Sequence, residues 1–284
     1  MNKNNDSRKI AFLGKPGSYS QMACRGAYPD LDTISCLSFE DIFRAVKDGV
    51  ADLAMIPVDN TIAGRVADVH HLLPEGGLHI VGEYFQPIEH ALLGVAGASL
   101  SDLKHVHSHT HALPQCRNKI NEMGLEKHVH ADTASAALYV SEAKDKTQGA
   151  IASTLSADIY GLDVLLPDIQ DASHNTTRFL VLARDMDVPV YDAAQTYLTT
   201  LFFHVRHIPA ALYKSLGGFA TNGINMAKLE SYVDEHFQAA QFYCDVEAHP
   251  AQDSFKHAME DLQFYAQELR VLGTYKAHPF RQKK

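Results

Sequence analysis

The chain has 284 residues, of which 46% are hydrophobic and 21% are charged, and its formal net charge is −9. This length favours two or more domains, and the composition is that of an ordinary globular protein. The negative charge argues against nucleic acid or an anionic membrane as a partner, because both require a basic surface. A small anionic ligand is compatible with it if an arginine or the amides at a helix N-terminus hold the ligand locally.

Strands and helices alternate in the region up to about residue 190, which predicts an α/β fold with a mainly parallel, doubly wound sheet. The predicted strands are 9–13, 52–56 ending at Pro57, 78–84, 91–95, 150–152, 164–166 and 178–183. The predicted helices are 19–28, a helix capped by Ser38 and stopped by Gly49, 112–123, 133–143 and 154–160.

The remainder of the chain has a different order of elements. The predicted strands are 197–206, 224–232, 237–246 and 271–275, and the predicted helices are 210–222 and 254–269. This βαββαβ order predicts a ferredoxin-like domain of about eighty residues. The segment 184–195, which contains Asp, Pro and Ala, is predicted to be a linker.

Neither the N-terminus nor the cysteines indicate export. The apolar stretch 10–13 that follows the polar N-terminus is too short for a signal peptide or a membrane span, so we expect a cytoplasmic protein. The cysteines are widely separated and form no C-x-x-C, so we expect reduced, mostly buried thiols rather than disulfides or a structural zinc site. They are Cys24, Cys36, Cys116 and Cys244.

Two loops of the α/β region contain residues that could bind a ligand. Gly14–Ser20 places glycines and hydroxyls, Ser18 among them, where a helix begins, which fits either an anion site or a tight turn with an N-cap. Pro57–Gly64 follows a strand, so Asn60 and Thr61 are expected at the carboxyl edge of the sheet, where open α/β sheets bind ligands. The alternative for the second loop is a polar capped turn.

A third candidate is the stretch Asn175–Phe179, which precedes the last strand of the α/β region. Arg178 suits bidentate binding of a carboxylate, and the adjacent Thr177 can donate a hydrogen bond to a leaving oxygen. The alternative is an arginine that forms a salt bridge with a surface carboxylate.

Histidine is unusually frequent, with 17 residues, and it alternates at His105, His107, His109 and His111. Alternation on a strand would place the imidazoles on one face, so zinc or nickel binding has to be considered. Because the sequence places no cysteine or carboxylate partner, we predict no metal site and expect solvent-exposed or hydrogen-bonded histidines.

Taken together, these segments resemble the prephenate dehydratases over nearly the whole chain, from Lys9 to about Phe280. The matching motifs, in chain order, are Gly14–Ser20, Pro57–Gly64, Ser108–Cys116, Asp132–Ala137, Gly149–Ser153 and the T-R-F signature Thr177–Phe179. The resemblance implies two α/β lobes like those of type II periplasmic binding proteins, with the active site in the cleft. It implies residues 9–185 as catalytic domain with a second lobe at about 82–168, after a disordered 1–8.

The activity implied is the decarboxylating dehydration of prephenate to phenylpyruvate, in phenylalanine biosynthesis, without a metal or organic cofactor. By the resemblance, Thr177 donates to the leaving hydroxyl and Arg178 anchors a carboxylate. The implied substrate-binding residues are Ser18, Asn60, Thr61, Asn175, Thr176 and Phe179. Arogenate dehydratase and a non-catalytic small-molecule sensor are the alternatives, and the lack of a chorismate mutase segment before Lys9 leads us to expect a monofunctional enzyme.

After a linker at 186–195, the C-terminal region 196–280 resembles an ACT domain, the module through which phenylalanine inhibits many of these enzymes. The implied effector-binding residues are Ala210, Ala211, Leu212, Asn225, Glu230 and Ser231. The chain departs from the usual motifs twice: Ala210 replaces the glycine of G-A-L, and Tyr232-Val233 replace an Arg-Pro pair. The resemblance implies L-phenylalanine as an allosteric ligand, although these two departures alter its motifs, and it implies a homodimer or homotetramer.

Overall fold

A computed structural model describes residues 8–233 and 239–282 of the chain. Its strands are β1 Lys9–Leu13, β2 Asp32–Cys36, β3 Leu53–Asn60, β4 Gly64–Arg65, β5 His79–Pro87, β6 Ala91–Val95, β7 His105–His109, β8 Glu126–His130, β9 Gln148–Ala152, β10 Leu162–Leu166, β11 Thr176–Ala183, β12 Tyr197–Val205, β13 Met226–Val233, β14 Ala239–Val246 and β15 Ala266–Lys276. Its α-helices are α1 Tyr19–Ala27, α2 Phe39–Lys47, α3 Ala67–Glu75, α4 Ala112–Gln115, α5 Arg117–Glu122, α6 Thr133–Ala143, α7 Thr154–Tyr160, α8 Ala211–Thr221 and α9 Asp253–Tyr265.

The first lobe is built on a sheet with the strand order β2-β1-β3-β11-β5, to whose β3 the short β4 pairs. β1 is parallel to both β2 and β3, and its central residues are fully buried, as expected for a strand covered on both faces. Ser38 caps α2 as predicted, because its Oγ accepts a hydrogen bond from the Asp41 amide at 3.1 Å. Ile42, Phe43 and Val46 form the buried face of that helix.

One strand of this lobe was missed, and the predicted end of another is wrong. β2 was not predicted, because it is an edge strand whose residues are mostly exposed and carry little apolar signal. β3 does not end at Pro57 but continues to Asn60. The ladder between β3 and β1 ends at Met55, and β3 then pairs with the short β4 at Asp59 and Asn60.

The second lobe is built on a five-stranded sheet with the order β10-β6-β9-β7-β8. β7 is parallel to β8 and β9, whereas β6 is antiparallel to β9 and β10. The prediction of a mainly parallel sheet is therefore wrong for this lobe. Two clusters of buried apolar side chains form its core, one around Leu93 and Val140 and the other around Leu92 and Ile151. The predicted helix 112–123 is broken at Cys116 into α4 and α5.

The C-terminal elements confirm the ferredoxin-like prediction. Four antiparallel strands lie in the order β13-β14-β12-β15, and the chain order is βαββαβ. The helices α8 and α9 contribute Phe219, Phe255 and Leu262 to a core shared with Phe203 and Phe242 of the sheet. The first residues of the predicted strand 237–246, up to residue 238, lie outside the described residues.

The fold class is thus two α/β lobes followed by a ferredoxin-like domain. By its contacts the chain separates into two compact units, one with the residues up to Val69 and Tyr84–Phe179, the other with His70–Glu83 and the residues from Leu180 onward. Residues 184–196, which include the predicted linker, contain neither helix nor strand. The predicted domain bounds stay a prediction. Among the described residues, no helix is both long and apolar enough to span a membrane.

Candidate active site

A network of polar side chains joins the end of β3 to the start of β11. Asn60, the last residue of β3, donates through Nδ2 to Asn175 Oδ1 at 2.8 Å and to Thr177 Oγ1 at 2.9 Å. Asn60 is therefore in direct contact with two other predicted site residues that lie more than a hundred positions away in the sequence. Asn175 is 3% exposed, whereas Thr177 is only half-buried.

Backbone contacts fix the orientation of the Asn60 amide. Its Oδ1 accepts hydrogen bonds from the amides of Ile62 at 2.9 Å and Ala63 at 2.7 Å, so Nδ2 must face Thr177. Nδ2 is the donor to Thr177 Oγ1, and this is the hydrogen bond that the hydroxyl makes within the described residues. The hydrogen of the Thr177 hydroxyl is consequently left to be donated to a bound molecule.

Thr61 and Thr176 tie the two segments together through the backbone. The Thr61 amide donates to the Thr176 carbonyl at 3.0 Å, and the Thr176 amide donates to Thr61 Oγ1 at 2.9 Å. The Thr61 hydroxyl donates in turn to the carbonyl of His174 at 2.8 Å. Because the Thr61 hydroxyl and both amides are already used, these contacts hold Asn60 and Thr177 in place.

A chain of hydrogen bonds continues from Asn175 to the other side of the cleft. Asn175 Nδ2 donates to Gln115 Oε1 at 2.8 Å, and His90 Nε2 lies 2.9 Å from the same oxygen. Because an amide oxygen can only accept, His90 carries a hydrogen on Nε2. The Tyr19 hydroxyl lies 2.8 Å from His90 Nδ1 and donates to the carbonyl of Glu89, also at 2.8 Å. The amides of Ile62 and Ala63 thus fix the donor and acceptor roles from Asn60 through Asn175 to Gln115.

The two titratable members of this chain are held neutral. Burial is the main factor that lowers the pKa of His90, and the hydrogen bond to Gln115 opposes it. Burial also raises the pKa of Tyr19 well above its usual value, with Cys116 and Glu89 acting in the same direction. The chain therefore orients groups and does not exchange protons near neutral pH.

Sequence reasoning assigned no role to His90, Gln115 or Tyr19. Gln115 and Tyr19 both lie inside family motifs, so the motifs could have marked them as candidate site residues. The sequence could not show which residues they contact. His90 lies in no motif that we matched. It is found only because the fold brings it between Tyr19 and Gln115.

Arg178 lies beside Thr177 on β11 but points to the other face, since side chains alternate along a strand. It is 6% exposed, and its Nη1 lies 3.8 Å from Asp59 Oδ2. This is the salt bridge that the sequence left open as an alternative to carboxylate binding. Phe179, on the same face as Thr177, is 1% exposed and packs in the core.

The glycine loop before α1 connects the lobes. The carbonyl of Gly17 accepts from Ser153 Oγ at 2.5 Å and from Ser156 Oγ at 2.9 Å, both at the start of α7. Gly17 has a φ of +90°, and a Cβ there would lie 2.9 Å from the Cα of Ser156, so only glycine fits. Ser18 caps α1 through Gln21, as the capped-turn interpretation of this loop predicts.

Among the residues that the structure describes, two cavities between the lobes are lined by predicted site residues or their partners. The first, of about 470 Å³, includes Lys15 and Ser18 from the first lobe and His109 and Thr133 from the second. The second, of about 310 Å³, includes Ile62, His111, Gln115 and Asp171. Thr177 itself lines neither cavity, but its network reaches the second through Gln115 and through Ile62, whose amide holds Asn60.

The cysteines offer no nucleophile to either cavity. All are free and buried, as predicted. Burial raises the pKa of Cys24, Cys116 and Cys244 to about 12, so these thiols stay protonated.

The predicted effector residues do not form one group within the C-terminal domain. Ala210 to Leu212 lie at the start of α8, whereas Asn225 follows its end, and the helix between them spans roughly 15 Å. Glu230 on β13 pairs with Lys228 at 3.0 Å and accepts from the Tyr232 hydroxyl at 2.8 Å, and Ser231 is exposed. Ala210 has a φ of +59°, the left-handed conformation that favours glycine.

Comparison with known proteins agrees with this arrangement. The family model described as Prephenate dehydratase matches residues 10–187. A relative from Komagataeibacter europaeus, named Bifunctional N-acyl-homoserine lactone acylase/prephenate dehydratase, is 47% identical over 280 residues, covering 98% of this chain and 99% of the relative. Arogenate dehydratase/prephenate dehydratase 1 from Arabidopsis thaliana is 39% identical over 282 residues, covering 94% of this chain and 71% of the relative.

A solved structure, the prephenate dehydratase from Arthrobacter aurescens in complex with L-Phe, superposes with a TM-score of 0.86 at 28% identity. The superposed region covers 95% of this chain and 90% of the Arthrobacter aurescens chain. The likeness to these relatives extends over both lobes and the C-terminal domain. The chain belongs to the prephenate dehydratase family.

Proposed function

We propose that the chain is a lyase that converts prephenate to phenylpyruvate, water and carbon dioxide, as a step of phenylalanine biosynthesis. The observation that carries the proposal is the Thr177 hydroxyl, which accepts from Asn60 Nδ2 at 2.9 Å and has its hydrogen left to donate. A departing ring hydroxyl needs such a donor. Membership of the prephenate dehydratase family supports the same reaction.

In this reaction the ring carboxylate leaves as carbon dioxide, and its bonding electrons enter the ring. The 4-hydroxyl departs with the electron pair of its C–O bond, and the ring becomes aromatic. The hydroxyl needs a proton to leave as water, and with the substrate as dianion this proton comes finally from solvent. Thr177 is too weak an acid to supply it outright, so its role is a preorganised hydrogen bond to the charge that develops on the leaving oxygen.

The other predicted site residues divide by what they contact. Asn60, Thr61, Asn175 and Thr176 position the Thr177 hydroxyl. Ser18 lies in the first cavity together with Lys15, whose charge suits a substrate carboxylate. Arg178 forms a long ion pair with Asp59, and binding of a substrate carboxylate would use its other N–H donors or replace this pair.

Arogenate is the second candidate substrate, since an Arabidopsis thaliana relative is named for both activities. The Komagataeibacter europaeus relative is also named an acyl-homoserine lactone acylase. For that chemistry a thiol nucleophile is disfavoured here, because burial raises the pKa of three of the cysteines to about 12. These alternatives differ in product and can be measured side by side.

The test is a substrate panel with the purified full-length chain. Prephenate, arogenate and an N-acyl-homoserine lactone are each supplied, and phenylpyruvate, phenylalanine and free homoserine lactone are quantified. We expect the highest kcat/KM with prephenate. Preferential formation of phenylalanine from arogenate would replace the proposed substrate, and tight prephenate binding without any product would favour a non-catalytic sensor.

We also propose that phenylalanine regulates the enzyme through the ferredoxin-like domain, which has the ACT order of elements. Because Ala210 and Asn225 lie at opposite ends of α8, one effector molecule can contact both sets of residues only if a second copy of the chain contributes one of them. This supports a homodimer or homotetramer. Calorimetry with L-phenylalanine tests the binding, and sedimentation tests the oligomeric state. The cytoplasmic location stays a prediction.

A further inference from the structure

A ladder of histidines covers one face of the second lobe, on the edge strand β8 and its neighbour β7. The two strands are parallel and in register, with His105 opposite Glu126 and His107 opposite His128. Because side chains alternate along a strand, these four point to the same face. The fold thus supplies the carboxylate partner that the sequence did not place.

Three side chains converge at the start of this ladder. His105 Nδ1 lies 3.1 Å from His128 Nε2 and 3.3 Å from Glu126 Oε2, and His128 Nε2 lies 3.8 Å from Glu126 Oε1. A zinc ion with ligands at about 2.0–2.1 Å in a tetrahedron places those ligands about 3.3 Å apart. The three observed separations bracket that value.

We infer that His105, Glu126 and His128 form a binding site for Zn²⁺, with the fourth position open to water. Two imidazoles and one carboxylate are a usual ligand set for a zinc ion with an open position, and they exclude Mg²⁺ and Ca²⁺, which require oxygen ligands. The three side chains are 30%, 66% and 38% exposed, respectively, so the ion has direct access from solvent. The chain's net charge of −9 also favours a cation.

Hydrogen bonding alone explains the arrangement less well. His105 Nδ1 faces both His128 Nε2 and a Glu126 oxygen, but a ring nitrogen carries at most one hydrogen. One of these short contacts would be left with a poorly placed hydrogen or with two lone pairs facing each other. A cation at their centre satisfies all three side chains at once.

The buried His107, two residues after His105 on β7, packs against His128. The rings of His107 and His128 stack with centroids 4.7 Å apart and an 18° angle between their planes. His107 is itself fixed by Gln148 Oε1 at 2.7 Å and by His130 Nε2 at 2.9 Å. Ligand orientation by surrounding groups of this kind strengthens metal binding.

The position of the site points to a structural role. His105 and Glu126 are the first residues of β7 and β8, so the site lies at the edge of the sheet opposite to the carboxyl ends, where His109 reaches the cleft. The ion would clamp the edge strand β8 to the rest of the lobe. We therefore expect zinc to stabilise the protein without being needed for turnover.

The experiment is a zinc titration of untagged, EDTA-treated, full-length protein, followed by calorimetry and by thermal unfolding. We expect one equivalent of Zn²⁺ to bind and to raise the Tm by several degrees. Glu126→Gln changes an exposed side chain and His128→Asn a partly exposed one, so both should preserve the fold. Each removes a ligand and should weaken binding by more than the roughly 10-fold to 100-fold that loss of an outer partner of a ligand costs. Glu142→Gln and His257→Asn, at exposed positions elsewhere, serve as matched controls and should bind zinc as the wild type does.

Co²⁺ provides a second readout, because its visible absorption spectrum reports a tetrahedral nitrogen and oxygen environment and should be lost in the two ligand variants. The inference is overturned if the wild type takes up no saturable zinc at millimolar concentration. It is equally overturned if the ligand variants bind zinc as well as the controls do.

Discussion

Replacing Thr177 by Val removes the proposed hydrogen-bond donor to the leaving group and keeps the shape of the side chain. In the wild type, Thr177 Oγ1 accepts from Asn60 Nδ2, which also contacts Asn175 Oδ1 at 2.8 Å and the Thr176 carbonyl at 3.4 Å. Asn60 therefore keeps other acceptors in the variant. We expect a loss of stability of only about 0.5–1.5 kcal/mol, the usual net value of one hydrogen bond.

The effect on turnover should be much larger than the effect on stability. Removing one preorganised donor to a developing charge typically lowers kcat by about 10²–10³, or about 2.7–4 kcal/mol. The assay follows phenylpyruvate formation from prephenate at saturating substrate, with thermal unfolding measured on the same samples. Thr177→Ser, which keeps a hydroxyl, is the control and should retain most of the activity. A Thr177→Val enzyme that turns over within about threefold of the wild type would refute the assignment.

Three further predictions test the surroundings. Asn60→Asp keeps the acceptor for the loop amides but cannot donate to Thr177, so kcat should fall by about 10², and combining it with Thr177→Val should add little in a double-mutant cycle. Burial lowers the pKa of His90 from its usual 6.5, so the unfolded chain binds the proton first as the pH falls. The free energy of unfolding should keep its full value above about pH 6.5 and fall below it by at most about 1.4 kcal/mol per pH unit, and less steeply in His90→Gln. Urea unfolding at a series of pH values measures this, and an equal slope with pH in both proteins would contradict the prediction. Ala210→Gly should stabilise the C-terminal domain by about 0.5–1 kcal/mol, because relief of the left-handed strain at φ +59° exceeds the added freedom of the unfolded chain, and a lowered urea midpoint would show the strain argument to be wrong.

Local patterns predicted the elements that carry a strong signal of their own. β1, β6, α6 and α7 have the bounds that apolar periodicity and capping residues predicted. β2 and β8 were missed, because exposed edge strands do not need an apolar pattern. Sequence alone could not decide that β6 would be antiparallel to β9 and β10, since the pairing depends on partners far along the chain.

The candidate site shows the same division. Asn60 and Thr177 were found from motifs, but the donor and acceptor roles follow only from distances to the Ile62 and Ala63 amides and to Asn175. Side-chain direction changed the interpretation of Arg178, which alternation on β11 turns away from Thr177. His105 became a ligand candidate only when the register of β7 and β8 placed Glu126 opposite it.

The most direct test of the central claim is the stoichiometry of the reaction catalysed by the purified full-length chain. Prephenate consumption, phenylpyruvate formation and carbon dioxide release are measured in one sample, with EDTA present and with Thr177→Val as the comparison. We predict that one phenylpyruvate and one carbon dioxide form for each prephenate consumed, over many turnovers, and at a strongly reduced rate in the variant. Prephenate that binds and is recovered unchanged from the wild-type protein would contradict the account.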